Sequence, residues 1–249
     1  MTRSRTTLTV LVGLAASWGA MLAGPAKPPA RSAHKAQTAA PAAAKAPKGL
    51  VPIPLELPKP TVIPTPRNIP PKTRVKVPKG RWAPRGPFYA PKGVRNVALK
   101  KPVTGSDMEP VIGTLELITD GEREAGDDTY VELGFGVHYV QIDLQKMHSI
   151  HAVVVWHEFF DRRVYHDVIV QVADDKDFIT NVRTLYNNDH DNSAGMGLGK
   201  DWGYFETHEG LLVDAKAVKA RYVRLYSNGS TGDELNRYTE VAVFGLQAK

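Results

Sequence analysis

The chain has 249 residues, of which 42% are hydrophobic and 23% charged, enough for one domain with additional segments. It contains no cysteine, which excludes disulfides, thiolate catalysis and cysteine-ligated metal sites. The formal net charge of +6 is unevenly distributed, because residues 1–95 hold 17 of the 32 lysines and arginines and only one acid. Residues 96–249 have a net charge of −10, which argues against nucleic-acid binding as their main task.

The N-terminal segment, residues 1–26, has the layout of an export signal. Arg3 and Arg5 precede an apolar run over residues 8–22, and small residues follow that run. The apolar run has about 15 residues, whereas a membrane-spanning helix needs roughly 20. We therefore expect a cleaved signal peptide rather than a membrane anchor, and an exported protein of the periplasm, the cell envelope or the medium.

Residues 27–92 are predicted to form a basic, proline-rich linker. The wider segment 24–95 contains 17 of the 19 prolines in the chain. Proline fixes φ and has no N–H for a helix or a sheet, so we expect a disordered or extended linker. Its simplest role is that of a spacer. A second role is electrostatic adhesion of its lysines and arginines to an anionic envelope surface.

Residues 93–249 are predicted to fold as an all-β domain. Segments 140–144 and 221–226 alternate between apolar and polar residues, whereas 152–156 is a continuous apolar run and 168–172 is apolar except for Gln171. The segments are rich in β-branched and aromatic residues, and Asp, Asn, Gly and Ser separate them. Many short strands in about 150 residues predict a jelly-roll β-sandwich with one core.

Six segments of this domain occur in an order shared with one known family. They are NVALKKPVT at 96–104, ITDG at 118–121, VQIDL at 140–144, IHAVVV at 150–155, ARYVRLYS at 220–227 and TEVAVFG at 239–245. Together they resemble the discoidin family, also called coagulation factor type C domains, which are galactose-binding-like jelly rolls. The resemblance implies this fold for residues 96–246. It does not single out a ligand, because family members bind galactosides, fucosides, other glycans, lipid head groups and proteins.

The resemblance also implies a structural calcium ion, which takes six to eight oxygen ligands. At the matching positions, Asp120 and Glu240 would supply carboxylates. The remaining expected ligands are the backbone carbonyls of Leu117, Glu122 and Thr239 and an oxygen of Thr129 or of a neighbouring residue. Without a metal ion, Asp120 would cap a turn and Glu240 would lie solvated on a sheet edge.

Three motifs that resemble catalytic or metal-binding signatures lack essential residues. His157 and Glu158 begin like the zinc-protease motif, but Asp161 stands where the second histidine is needed. Residues 195–200 lack the first glycine and the Ser/Thr of a phosphate-binding loop. Residues 189–200 lack the glycine and glutamate of a helix–loop–helix calcium site. The sequence also has no Gly-x-Ser-x-Gly motif, and we expect no enzymatic activity.

The longest loop insertion, residues 186–204, is the candidate ligand site. It offers planar polar groups for sugar hydroxyls and aromatic faces for sugar C–H groups. The candidate ligand residues are Asn187, Asn188, Asp189, His190, Asp191, Trp202, Tyr204 and Glu158. In the alternative interpretation, Trp202 and Tyr204 pin the loop onto the core.

These observations predict an exported, non-catalytic binding module that recognises a glycan at the loop end of a calcium-stabilised jelly roll. The alternative is a structural or adhesive envelope protein. In that case the domain would bind a protein partner and the basic linker would hold an anionic surface.

Overall fold

The computed structural model describes residues 46–60, 69, 74–75, 84–160 and 163–248, all of which belong to one compact unit, residues 40–249. The predicted signal peptide and the first part of the predicted linker lie outside the described residues. None of the described residues belongs to a helix long and apolar enough to cross a membrane.

The described part of the chain consists of ten strands and one short 3₁₀ helix. The strands are β1 (Leu50–Pro52), β2 (Tyr89–Pro91), β3 (Arg95–Asn96), β4 (Val103–Gly105), β5 (Val131–Phe135), β6 (His138–His157), β7 (Ile169–Ala173), β8 (Arg183–Asn187), β9 (Leu211–Ser227) and β10 (Leu235–Gln247). The 3₁₀ helix, Leu115–Thr119, lies between β4 and β5.

The strands form an antiparallel β-sandwich, which confirms the predicted jelly-roll fold. Hydrogen bonding follows the order β3-β10-β6-β9-β7-β8, with β4 beside β6 and β5 beside β10. The two longest strands, β6 and β9, bend midway at residues with positive φ, namely Gln145 (66°), Lys216 (53°) and Ala217 (58°). Both halves of β6 pair with β9, residues 138–143 with 222–227 and residues 148–155 with 211–220.

The apolar run over residues 152–156 is continuous because both faces of β6 are covered. Val153 and Val155 belong to the main core between the two layers. Ala152, Val154 and Trp156 belong to a second apolar cluster on the outer face. Successive side chains of a strand point to opposite faces, so a strand that is buried on both sides loses its polar alternation.

The second apolar cluster is covered by two pieces of the proline-rich segment. Strands β1 and β2 pair with each other, and the Ile53 N–H donates to the Phe88 carbonyl at 2.9 Å. Ile53 is buried against the outer face. The Arg85 guanidinium donates to the Glu209 and Gly210 carbonyls at 2.8 and 2.9 Å. Residues 46–60 and 84–92 of the predicted linker thus contact the sandwich in an extended conformation.

Candidate functional site

A cleft of about 520 Å³ opens at the loop end of the sandwich, where β7 begins and β8 and β9 end. We call it the loop-end cleft. Three of the residues that line it were predicted from sequence, namely Asn188, His190 and Asp191. The others are Arg74, Tyr165, His166, Asp167, Ser193, Gly203 and Asn228. The lining combines carboxylates, amides, imidazoles, a guanidinium and hydroxyls.

Asp167 joins the three loops that form the loop-end cleft. Its Oδ2 accepts hydrogen bonds from Ser193 Oγ at 2.7 Å and from Asn228 Nδ2 at 2.8 Å. Its φ of 51° is in the left-handed region, which Asp tolerates better than most residues. The carboxylate therefore fixes the relative positions of the loops before β7, after β8 and after β9.

Asn187 and Asp189 shape the long loop from within. The Asn187 N–H donates to Asp201 Oδ2 at 2.8 Å, and the buried Asp189 carboxylate accepts the N–H groups of Ser193 and Ala194 at 3.1 and 2.9 Å. Burial raises the pKa of the Asp189 carboxyl, and its backbone donors partly oppose that shift. These two predicted ligand residues therefore form hydrogen bonds within the loop itself.

Trp202, Tyr204 and Glu158 do not line the loop-end cleft. The Trp202 ring is 43% exposed, and the Arg74 guanidinium lies 5.1 Å from its centroid. The Tyr204 hydroxyl lies 3.0 Å from His157 Nδ1, beneath the surface. Glu158 is buried, with its carboxylate accepting the N–H of Phe160. Tyr204 thus contacts the core, as expected if it pins the loop there. The Trp202 side chain, in contrast, is partly exposed.

The proline-rich segment supplies one wall of the loop-end cleft. Val75 forms a parallel β-bridge with Gly203, and the Gly203 N–H donates to the Arg74 carbonyl at 2.8 Å. A Cβ atom at position 203 would lie 3.1 Å from Val75 Cγ2, so any larger residue there would crowd the Val75 side chain. Arg74 could not be found from sequence, because nothing in a proline-rich linker indicates which residue returns to the domain.

A buried polar cluster lies beneath the loops, at the end of β6. His157 Nδ1 lies 3.1 Å from Glu206 Oε2, and the imidazole stacks on Tyr165 with ring centroids 4.2 Å apart. Burial lowers the pKa of His157 to about 3 and raises the pKa of Glu206 well above its usual range. Burial therefore favours the neutral form of both groups, the imidazole of His157 and the carboxyl of Glu206. The cluster supports the floor of the cleft.

Three carboxylates at the loop-end cleft are potential ligands for a hard cation. Asp167, Asp189 and Asp191 each place an oxygen within 4.8 Å of the others. The Asp167 and Asp189 carboxylates already accept two hydrogen bonds each from the surrounding loops. The group is thus tied into the loop structure, and we assign no metal ion to it.

The predicted calcium residues Asp120 and Glu240 lie on either side of one turn. The Gly121 N–H donates to Glu240 Oε2 at 3.2 Å, and the Glu122 N–H donates to Asp120 Oδ1 at 2.7 Å. Glu240 is fully buried, and its Oε1 has no hydrogen-bond partner in the described part of the chain. Burial raises the pKa of Glu240 to about 8; the Gly121 N–H and the Arg123 charge oppose this shift, and the Asp120 and Glu122 carboxylates add to it.

The other predicted calcium ligands differ in their burial and in the hydrogen bonds that they already form. The Leu117 carbonyl accepts the Asp120 N–H at 3.5 Å, and Thr239 is buried beside Glu240. The Thr129 hydroxyl lies 2.8 and 2.9 Å from the Glu124 and Gly126 carbonyls. Its side chain is therefore used within its own turn. A buried carboxylate oxygen without a partner among the described residues fits a hard cation, whereas the positive charge of Arg123 acts on the same carboxylate.

Sequence reasoning missed several cleft residues, although one signal was available. Asn228 and Gly229 directly follow the alternating run of β9, and an Asn-Gly pair after a strand indicates a turn. His166 and Asp167 directly precede the apolar run of β7 and lie at a strand entrance. The sequence marks both segments as loops, but it does not show that they meet the loop at 188–204.

No known family model matches the sequence, and no curated protein matches it. Solved structures that resemble it include carbohydrate-binding modules. A chitosan-binding module of Paenibacillus sp. IK-5 is 21% identical, with a TM-score of 0.43, over 60% of this chain and 98% of that chain. A fucose-binding module of Streptococcus pneumoniae is 16% identical, with a TM-score of 0.43, over 62% of this chain and 98% of that chain.

A family 89 glycoside hydrolase of Clostridium perfringens also resembles this chain, at 17% identity and a TM-score of 0.47. The likeness covers 61% of this chain but only 15% of the hydrolase. This chain thus spans a small part of that enzyme's length.

Proposed function

We propose that the protein is a non-catalytic carbohydrate-binding module whose ligand occupies the loop-end cleft. The observation that carries this proposal is the cleft lining, in which carboxylates and amides from three loops and the guanidinium of Arg74 from the proline-rich segment face one space. The predicted membership in the discoidin family is compatible with this proposal and stays a prediction.

The chemistry of the lining fits the hydroxyl groups of a sugar. Carboxylates accept hydrogen bonds from hydroxyls, a guanidinium donates to them, and amides do both. Burial lowers the pKa of His166, which keeps its imidazole neutral and able both to donate and to accept. Asp167 and Asp189 hold the loops by hydrogen bonds within the protein, and this arrangement favours a preformed binding site over a reacting centre.

A glycan array tests the proposal with the full chain. We expect binding to a restricted set of sugars, a loss of at least tenfold in affinity in Asp191→Asn, and little change in Asp177→Asn. Asp177 is the matched control, because it is an exposed Asp in the loop after β7, at the other end of that strand. Equal loss in both variants, or no binding to any glycan by the folded wild type, contradicts the proposal.

We further propose that Asp120 and Glu240 bind one structural calcium ion. The support is the buried Glu240 Oε1, which has no hydrogen-bond partner among the described residues, at the turn that Asp120 caps and that the Gly121 N–H ties to Glu240. When bound, the ion would neutralise charge and tie the turn at 120–122 to β10, the final strand. The side chains of Asp120 and Glu240 would hold the ion, with Asp120 on the exposed side of the turn and Glu240 on the buried side.

We also propose that the protein is exported. The support is the order within residues 1–26, in which basic residues precede an apolar run and small residues follow it. Fusing residues 1–26 to a reporter enzyme that is active only after export tests this proposal. A reporter that stays inside the cell contradicts it.

Adhesion of the basic segment to an anionic surface remains the second candidate for the linker. It is supported by the excess of lysine and arginine in residues 1–95.

A further inference from the structure

A second cleft, of about 450 Å³, lies where β6 bends and β10 ends, away from the loop-end cleft. We call it the basic cleft. Four of its lining residues have basic side chains, namely Arg95, Lys101, Lys146 and His148. Three contribute amides, namely Asn96, Gln145 and Gln247. Among the residues described, no acid lines it, although acids outnumber lysines and arginines across residues 96–249.

The three strong cations of the basic cleft have no carboxylate partner among the described residues. Some cations elsewhere on the domain are paired, as Arg221 is with Asp143 at 2.7 Å and Lys216 with Asp214 at 2.6 Å. In the basic cleft, the Lys101 ammonium instead donates to Gln145 Oε1 at 2.7 Å, which holds it in place. The positive charge of this cleft is therefore available to an anion from outside.

One uncharged side chain of the basic cleft, that of Asn96, adds a further donor. The His148 Nδ1 instead donates to the Lys146 carbonyl at 2.7 Å, so this donor is used within the protein. Asn96 uses its Oδ1 to accept the N–H groups of Ala98 and Val243, whereas its Nδ2 is buried without a partner. An anion or an ordered water could satisfy such a donor.

We propose that the basic cleft binds a phosphate monoester. Three cations without a carboxylate partner among the described residues suit a ligand group with two negative charges better than they suit a singly charged carboxylate. A phosphate monoester carries about −1.5 to −2 charges at pH 7. The cleft is large enough for a small organic group in addition to the phosphate. Leu99, which is 46% exposed at the edge of the cleft, can contact the carbon skeleton of that group.

Residue-specific NMR on the ¹⁵N-labelled full chain tests this site. The basic N-terminal segment attracts anions without a defined site, so a bulk affinity would not distinguish the two. Glucose 6-phosphate, inorganic phosphate and glucose are titrated separately at constant ionic strength, since surface charges are screened by salt. We expect saturable amide shifts at residues 95–101, 144–148 and 247 with glucose 6-phosphate, smaller effects with inorganic phosphate and none with glucose.

A matched pair of double variants completes the experiment. Lys101→Gln with Lys146→Gln should raise the Kd for glucose 6-phosphate at least tenfold. Lys176→Gln with Lys216→Gln changes the net charge equally, but it removes lysines that are paired with acids, and it should change the Kd less than twofold. Thermal melts confirm that both proteins are folded. Shifts that do not saturate, or equal losses in the two double variants, overturn the proposal.

Discussion

Calcium binding at Glu240 should release protons, in an amount that follows from the pKa of its carboxyl. With a pKa of about 8, this carboxyl is about nine-tenths protonated at pH 7, and a metal ion binds only the ionised form. Binding should therefore release about 0.9 proton at pH 7, about 0.5 at pH 8 and about 0.1 at pH 9. The apparent affinity should rise with pH up to about 8 and then level off.

The same carboxyl links pH to stability in the metal-free protein. Its folded pKa of about 8 lies above the usual value of 4.5, so the folded state binds the proton more tightly than the unfolded chain does. The resulting stability is complete below pH 4.5 and is lost as the pH rises through about 8, by up to on the order of 5 kcal/mol. Calcium at a hundredfold excess over its Kd should restore about 2.7 kcal/mol.

Isothermal titration calorimetry in two buffers of different ionisation enthalpy measures the proton release directly. The protein is first treated with chelator and then titrated with calcium at pH 7 and pH 9. Glu240→Gln should abolish calcium binding and stabilise the metal-free protein at pH 8, whereas Glu234→Gln, an exposed glutamate before β10, should do neither. Calcium binding without proton release at pH 7 would refute the electrostatic argument. Calcium binding that survives Asp120→Asn unchanged would refute the site.

Three further predictions concern packing and pH. Trp202→Ala should cost less than about 2 kcal/mol of unfolding free energy in a urea titration, because its ring is 43% exposed; a loss of 3–5 kcal/mol would mean core packing. Ile53→Ala should cost about 2 kcal/mol and Leu57→Ala, which is 44% exposed, under about 1 kcal/mol; equal costs would contradict the packing of residues 46–60. His157 has a pKa of about 3, below that of the unfolded chain, so its own contribution to stability should fall as the pH drops from 6.5 towards 3, whereas the contribution of Glu240 has the opposite sign above pH 4.5. The difference in unfolding free energy between the wild type and His157→Gln isolates the His157 contribution, and a difference that does not change over this pH range would contradict the assignment.

The sequence predicts the sandwich because the alternation of apolar and polar residues within each strand is a local property. One feature of this pattern, however, has a non-local cause. The continuous apolar run over residues 152–156 requires a cover on both faces of β6. One cover is the opposite layer, and the other is the proline-rich segment that contains Ile53. Proline content argues for an extended chain, and an extended chain can still pack on a sheet face. Composition alone therefore does not distinguish a free linker from a packed one.

The candidate site shows the same division between local and non-local information. The sequence indicates the loop at 186–204, and Asn188, His190 and Asp191 of that loop do line the cleft. The sequence does not separate them from Asp189, because alternate residues of one loop can face the solvent or the interior. It also gives no sign of Arg74, which reaches the loop-end cleft through a main-chain contact with Gly203.

The central claim is that a glycan occupies the loop-end cleft, and amide chemical-shift mapping tests it most directly. The ¹⁵N-labelled full chain is titrated with the glycan that the array ranks highest. The account predicts saturable shifts at residues 166–168, 188–193 and 228, with the amides of the basic cleft unchanged. Saturable shifts confined to any other part of the domain would contradict it.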